Sequence, residues 1–379
     1  MRTPVALTLS LVLATFTSAC GEKKSEPTQG EGAKAATGAT APTAASGASG
    51  DAQGEDAAPG AGDWEWQLPE GLIDPPPVPE DNPMSRAKVD LGHKLFMDKR
   101  LSFDGSRSCY SCHQNELGNA DGRPTALGAG DKPLDRNTPT IWNVGYHPAL
   151  YWDGRAANLE AQALGAWKGG NMGVGADALD AKAAEVGALP EYAAAFGEVF
   201  GLAEGAKVEP MHVAQALSAY ERTLLCGDGE RDEAAKRGWD LFRGKAACST
   251  CHNGPAFSDG QFHNVGIGFG DDGKASDPGR AKVSQDPADE GRFRTPTLRN
   301  VTKTAPYFHD GSVESLEEAV RYMAKGGKAD APGLDPNLRN VGLSDEEISD
   351  LMAFLSSLEC AGSLEVVGDQ TVPGIGDAG

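Results

Sequence analysis

The sequence predicts a mainly α-helical protein built as an internal duplication. Apolar residues recur at helical spacing in several stretches, convincing period-two strands are absent, and C-x-x-C-H occurs twice. Each copy follows a helical stretch holding a Leu-Phe pair, Leu95-Phe96 and Leu241-Phe242, which places a boundary near Cys226. Helical patterns run near 85–97, 159–167, 211–225 and 231–242. Ser315-Leu316-Glu317-Glu318 is a capping box followed by Leu316, Ala319, Val320 and Met323 on one face, and Gly326-Gly327 stops that helix. Ser344 to Glu347 opens another, with Ile348, Leu351, Met352 and Leu355 as its stripe.

Composition bounds the setting. The chain has 379 residues, 39% of them hydrophobic, enough for two modest domains, and its net charge of −21 opposes nucleic-acid binding and suits a cationic partner. Met1 and Arg2 precede an apolar run, Val5 to Phe16, too short to span a bilayer permanently but fitting a signal peptide. The run ends in Thr17-Ser18-Ala19-Cys20, which resembles the lipobox of bacterial lipoproteins and implies acylation at Cys20. Residues 21–62 contain no Val, Ile, Leu, Met or aromatic residue and cannot bury a core, so they read as a tether reaching roughly 35 Å. The expected organisation is a lipoprotein signal peptide at 1–20, a linker at 21–62 and folded domains at 63–225 and 226–379.

Seven cysteines sort into Cys20, the pairs Cys109/Cys112 and Cys248/Cys251, and Cys226 with Cys360. C-x-x-C-H is the spacing of covalent haem attachment, in which two thioethers fix the porphyrin edge and the next His faces the iron. One copy could equally be a redox dithiol or half a zinc site. Two copies in an exported chain, with His113 and His252 following the second Cys of each, predict two covalently bound haem c groups. Cys226 and Cys360 form an even pair in an oxidising compartment, and a disulfide is expected between them.

Several further stretches narrow the reading. Asp90-Leu91-Gly92-His93-Lys94-Leu95-Phe96, Arg136-Asn137-Thr138-Pro139-Thr140, Tyr151-Trp152-Asp153-Gly154-Arg155, Arg294-Thr295-Pro296-Thr297-Leu298-Arg299-Asn300 and Ala305-Pro306-Tyr307-Phe308-His309-Asp310-Gly311 are co-linear anchors spanning about Trp66 to Glu359. Together with the two haem motifs they resemble the bacterial di-haem cytochrome c peroxidase and MauG family. The resemblance implies two cytochrome c-like helical domains, an N-terminal peroxidatic haem and a C-terminal electron-transfer haem, with a calcium ion between them. It places Met323 as the distal ligand of the second haem and Trp152 between the haems. Asn137 then matches the calcium's side-chain ligand, and Thr304 and Pro306 match its carbonyl donors, an all-oxygen set that suits a hard cation.

The pattern is broken in two places. Typical members carry a His after the first haem motif as a provisional sixth ligand, whereas no His occurs from Gln114 to Tyr146, where the chain reads Gly128-Ala129-Gly130-Asp131. A first haem open to peroxide without reductive activation is the expectation, with Met172 as the rival ligand. Gln162 matches the family's distal Gln, but Asn171 stands where a proton-shuttling Glu is usual. An amide cannot exchange a proton near neutral pH, and losing a general acid–base typically costs about 10² to 10⁴ in rate. Glu160 and Glu185 are potential substitutes that read more simply as solvated helix residues, and His147 reads as a packing or surface residue.

The leading functional expectation is a periplasmic, lipid-anchored peroxidase reducing hydrogen peroxide with electrons from a small cytochrome c or cupredoxin. Gln162, Asn171 and Trp152 would serve catalysis, and the resemblance suggests a homodimer. The alternatives are a MauG-like oxidase of a partner protein, favoured by the missing His and disfavoured by Met323 in place of Tyr, and a non-catalytic di-haem electron carrier, favoured by Asn171.

Overall fold

The computed structural model describes residues 64–360, and the expected signal peptide, Cys20 anchor and linker lie outside the described residues. Nine α-helices occur among them. They are α1 (Arg86–Met97), α2 (Leu159–Lys168), α3 (Leu179–Gly187), α4 (Pro190–Phe200), α5 (Pro210–Arg222), α6 (Glu233–Arg243), α7 (Ala281–Ser284), α8 (Leu316–Ala324) and α9 (Asp345–Ser356). The sole β-sheet among the described residues is a two-residue antiparallel ribbon, β1 (Phe262–His263) with β2 (Phe293–Arg294), pairing Phe262 with Arg294. The chain is mainly α, as its periodicities predict.

Local chemistry explains where the helices start. Ser85 caps α1 by accepting from Lys88 N, Asp232 caps α6 by accepting from Ala235 N, and Ser315 and Ser344 form reciprocal capping boxes with Glu318 and Glu347 on α8 and α9. Three helices were not anticipated: α3, α4 and the four-residue α7. α3 presents Leu179, Ala183 and Val186 without a side-chain cap, too few large apolar residues to announce a stripe. In α4, Pro190 at the first turn and buried Tyr192 and Phe196 carry a signal the sequence does hold. On α9 the buried stripe contains Phe354 rather than Met352, which is half-buried.

The duplication is visible in the packing. α1 crosses α5 in one hydrophobic core and α6 crosses α9 in a second, and each crossing is made at a glycine. A Cβ on Gly92 would lie 2.0 Å from Ala216 O, and one on Gly238 would lie 1.9 Å from Asp350 O. The helices therefore touch backbone to backbone, an approach that only glycine allows. The second core is notably aromatic: Trp239, Phe242, Phe257 and Phe354 make edge and offset contacts at centroid distances of 4.9–6.4 Å.

The expected disulfide joins Cys226, at the end of the first core, to Cys360. Asn143 fixes the same crossing, its amide donating to Cys226 O at 3.0 Å while its Oδ1 accepts from Cys226 N at 2.6 Å. No helix of the described residues is long and apolar enough to cross a membrane. Gly238→Val is expected to lower stability by about 3 kcal/mol, read as the urea midpoint of helical circular dichroism, because the clash is with a carbonyl that cannot move without breaking α9.

Candidate haem sites

Both C-x-x-C-H motifs fold as the same short turn. In the first, a 3₁₀ turn over Cys109–Ser111 lets Cys112 N and His113 N both donate to Cys109 O, at 3.1 and 3.0 Å. In the second, a 3₁₀ turn over Cys248–Thr250 lets Cys251 N and His252 N donate to Cys248 O, at 3.3 and 2.9 Å. Each turn brings two half-buried thiols and an imidazole to one face. Burial pushes the Cys109 thiol well above its ordinary range and that of Cys248 up to about 11, so both are neutral thiols in apolar surroundings rather than activated thiolates.

The histidines are oriented identically. His113 Nδ1 lies 3.0 Å from Asn119 O, and His252 Nδ1 lies 3.0 Å from Phe257 O. A carbonyl only accepts, so Nδ1 carries the proton in each ring and Nε2 is left as the basic nitrogen for a metal. In both copies the accepting residue has left-handed backbone, φ +59° at Asn119 and +48° at Phe257, and the latter is costly for a bulky side chain. Burial lowers the pKa of both histidines, which favours the neutral, coordinating form.

Around the second motif is a large, mainly apolar cavity. Cys248, Cys251 and His252 line it together with Met323 of α8, and Trp152, Asn137, Thr304 and Pro306 also reach it. Trp152 is buried, donates from Nε1 to Asn137 O at 2.9 Å, and meets the His309 ring edge-on at 6.5 Å. His309 in turn stacks on Phe293 at 3.6 Å, and Asn137 N donates to His309 O at 2.7 Å. His147 also lines this cavity; burial, and then Arg294, push its pKa well down, so it is neither surface nor charged.

Gln162 and Asn171, the residues expected to serve the first haem, lie on α2 and in the turn after it. Gln162 is half-buried on α2, and its carbonyl accepts from Tyr151 Oη at 3.0 Å. Asn171 is half-buried in the following turn, where Ala129 N donates to Asn171 O at 3.0 Å and to Gly170 O at 3.2 Å. The Gly128–Asp131 loop is thus docked on the Asn171 turn, with Arg107 paired to Asp131. Gly128 makes this approach feasible, since a Cβ there would lie 2.1 Å from Gly170 O. Met172 is buried in the first core.

Neither proposed carboxylate substitute is placed as a free acid. Glu160 is buried, not solvated, and is held by Arg222 at 2.8 Å and Asn82 Nδ2 at 2.7 Å, while Glu185 pairs with Lys182 at 3.0 Å on the surface. The carboxyl that sequence reasoning missed is Glu221 of α5, 7% exposed and electrostatically coupled to Cys109. Its signal was periodic: it follows Val213 and Leu217 on the apolar stripe of α5. Burial raises its pKa to about 8, opposed by Arg222 and reinforced by Glu160.

A second group was also passed over. His263 lies 2.6 Å from Asp335 and 3.0 Å from Asp259. Hydrogen bonding to Cys251 first, then to Asp335 and Asp259, raises its pKa to about 10 against the opposing effect of burial. Cys251, Asp259 and His263 gather their donor atoms within 4.8 Å. Both ring nitrogens are already committed to carboxylates, and Cys251 belongs to the haem motif, so the group does not read as a separate metal site.

With this geometry in place, comparison with known proteins is decisive. A family model described as di-haem cytochrome c peroxidase matches residues 86–238, and a cytochrome c model matches 235–359. The chain is 38% identical to the cytochrome-c peroxidase IdrP1 of Denitromonas iodatirespirans over 84% of its length and 93% of that protein. The chain belongs to the di-haem cytochrome c peroxidase and MauG family. It is also 38% identical to the methylamine utilization protein MauG of Methylorubrum extorquens, over 75% of this chain and 81% of that one. A crystal structure of a MauG-like protein associated with microbial copper homeostasis superposes with a TM-score of 0.73 at 34% identity, covering 79% of this chain and 97% of that one. Membership makes the fold one of two cytochrome c-like domains, the cofactors two haem c groups, and the protein an oxidoreductase of the peroxide-using class.

Two outcomes follow. Cys248→Ser/Cys251→Ser is expected to halve the covalent haem per chain in a pyridine haemochromogen assay, leaving the Cys109/Cys112 site loaded. For Glu221 the folded pKa stands above the unfolded one, so its stabilising effect is complete below about pH 4.5 and lost as pH rises through about 8. Glu221→Gln should therefore gain stability over the parent in urea titrations at pH 9 but not at pH 5.

Proposed function

We propose that the protein is a periplasmic peroxidase that reduces hydrogen peroxide to two waters, taking two protons and two electrons, the electrons delivered singly by a small cytochrome c or cupredoxin. The observation that carries this reading is the duplicated anchor, two C-x-x-C-H turns whose histidines both keep Nε2 free for iron. Haem at these sites supplies one-electron redox at both centres and, at the first, a coordination position for peroxide.

The chain's own residues take the remaining roles. Cys109, Cys112 and His113 would hold the first haem, and Cys248, Cys251, His252 and Met323 the second. Met323 shares the cavity of His252, and a thioether ligand favours the reduced state, which suits a centre that receives electrons from a donor. Gln162 and Asn171 would orient peroxide by hydrogen bonding. Trp152 would assist electron or hole transfer between the domains, held by its bond to Asn137 O. Asn137, Thr304 and Pro306 would bind calcium: the Asn137 amide nitrogen donates to Arg123 O at 2.7 Å, which leaves Oδ1 as the side-chain atom to offer a cation. The acidic chain suits a basic donor.

A second reading, peroxide-dependent oxidation of a partner protein, is favoured by the docked Gly128–Asp131 loop, which offers no His to the first site, and by the similarity to MauG. Stopped-flow mixing of the fully oxidised protein with peroxide separates these readings. Rapid reaction without prior reduction, followed by turnover of reduced cytochrome c, is expected. Reaction without turnover supports the second reading, and absence of reaction would leave an electron carrier. Asn171→Glu is expected to raise the rate of peroxide reaction, by at most the factor of about 10² to 10⁴ that a general acid–base supplies.

A further inference from the structure

Among the described residues, buried arginines come with carboxylates, with one exception. Arg222 pairs with Glu160 and Arg299 with Asp228, and the half-buried Arg136 pairs with both Asp153 and Asp277. Arg294, on β2, is 5% exposed and has no ion pair among the described residues. Its side chain is held only by backbone carbonyls: Nη1 donates to Thr295 O at 3.0 Å and Nε approaches Tyr151 O at 3.4 Å, while its own N donates to Trp152 O at 2.8 Å. Burial alone pushes its pKa down to about 10, the signature of a desolvated and uncompensated cation. Leaving a charge in that state costs several kcal/mol, so a buried guanidinium calls for an anion.

The anion must come from what the adjacent cavity receives. Arg294 lines the same cavity as Cys248, Cys251, His252 and Met323. The remaining polar neighbours there do not supply the charge: His147 is neutral, and Asp335 is engaged by His263. Haem c carries two propionates, and a planar guanidinium matches a carboxylate through two parallel donors.

We propose that Arg294 is the counter-ion of a propionate of the haem bound at Cys248, Cys251 and His252. This rests on haem occupying that motif, and not on peroxidase activity. Two consequences follow from the geometry. Neutralising the propionate favours the ferrous state, so Arg294 raises the potential of the second haem. Because Arg294 also bonds the carbonyls of Tyr151 and Trp152, it would hold that propionate beside the segment bearing Trp152, which makes it a positioning residue.

The test uses the full-length holoprotein, with Arg294→Gln and Arg294→Lys, each checked for two covalent haems by pyridine haemochromogen. In a spectroelectrochemical titration, Arg294→Gln is expected to lower the second haem's midpoint, about a tenfold fall in its ferrous-to-ferric ratio at fixed potential, with the first haem unmoved. Arg294→Lys should restore most of that shift while still altering the propionate bending band in resonance Raman spectra, since an ammonium lacks the two-pronged contact. Unmoved midpoints in a doubly loaded Arg294→Gln protein would overturn the assignment, as would a shift confined to the first haem. If the Gln variant does not accumulate, the Lys variant decides alone, and an unchanged propionate band overturns the proposal. A parent protein carrying only one covalent haem would instead refute the site reading on which it rests.

Discussion

Everything at the two haem motifs depends on one hydrogen bond made twice, from histidine Nδ1 to a backbone carbonyl five or six residues further along. That bond selects the tautomer, aims Nε2 away from the turn and stops the ring rotating. Its cost is paid in the backbone, where Asn119 and Phe257 sit in left-handed conformations. The surrounding turn absorbs the strain: Asn119 N donates to Gln114 O, and Phe257 packs into the aromatic cluster of the second core. The anchor is thus a local device, reproducible wherever a loop of that length closes on a packed residue, and this is why it can be duplicated between such different flanking sequences.

What is not local is the relation between the two copies. Arg136 reaches Asp153 in the first half and Asp277 in the second while lying over the Phe293 ring, and Phe293 stacks on His309, whose carbonyl holds Asn137. Asn137 O then receives Trp152. This chain of contacts makes the Trp152 segment a shared wall of the second cavity rather than a surface loop of the first.

Electrostatics divides the molecule in two. The surface carries the large negative charge, whereas the groups buried near the motifs are kept neutral or paired: His113, His252 and His147 through lowered pKa values, Glu221 through a raised one, and Glu160 through Arg222. Arg294 departs from that rule, and Asn171 conforms to it by having no charge at all.

The sequence by itself determined the covalent chemistry and the class of fold. C-x-x-C-H spacing, capping boxes and helical stripes are local patterns whose meaning survives in isolation, and the Cys226–Cys360 pairing could be reached by counting. Tertiary structure decided what each isolated side chain had left open. Glu160 looked solvated until Arg222 and Asn82 closed over it, His147 read as packing or surface until the second cavity took it as a wall, and Glu221 was hidden in a stripe that reads as ordinary helix. The reason is physical: the charge state of a group depends on its desolvation and on partners brought from distant segments, as Arg222 lies 62 residues from Glu160, and no periodicity encodes such a meeting.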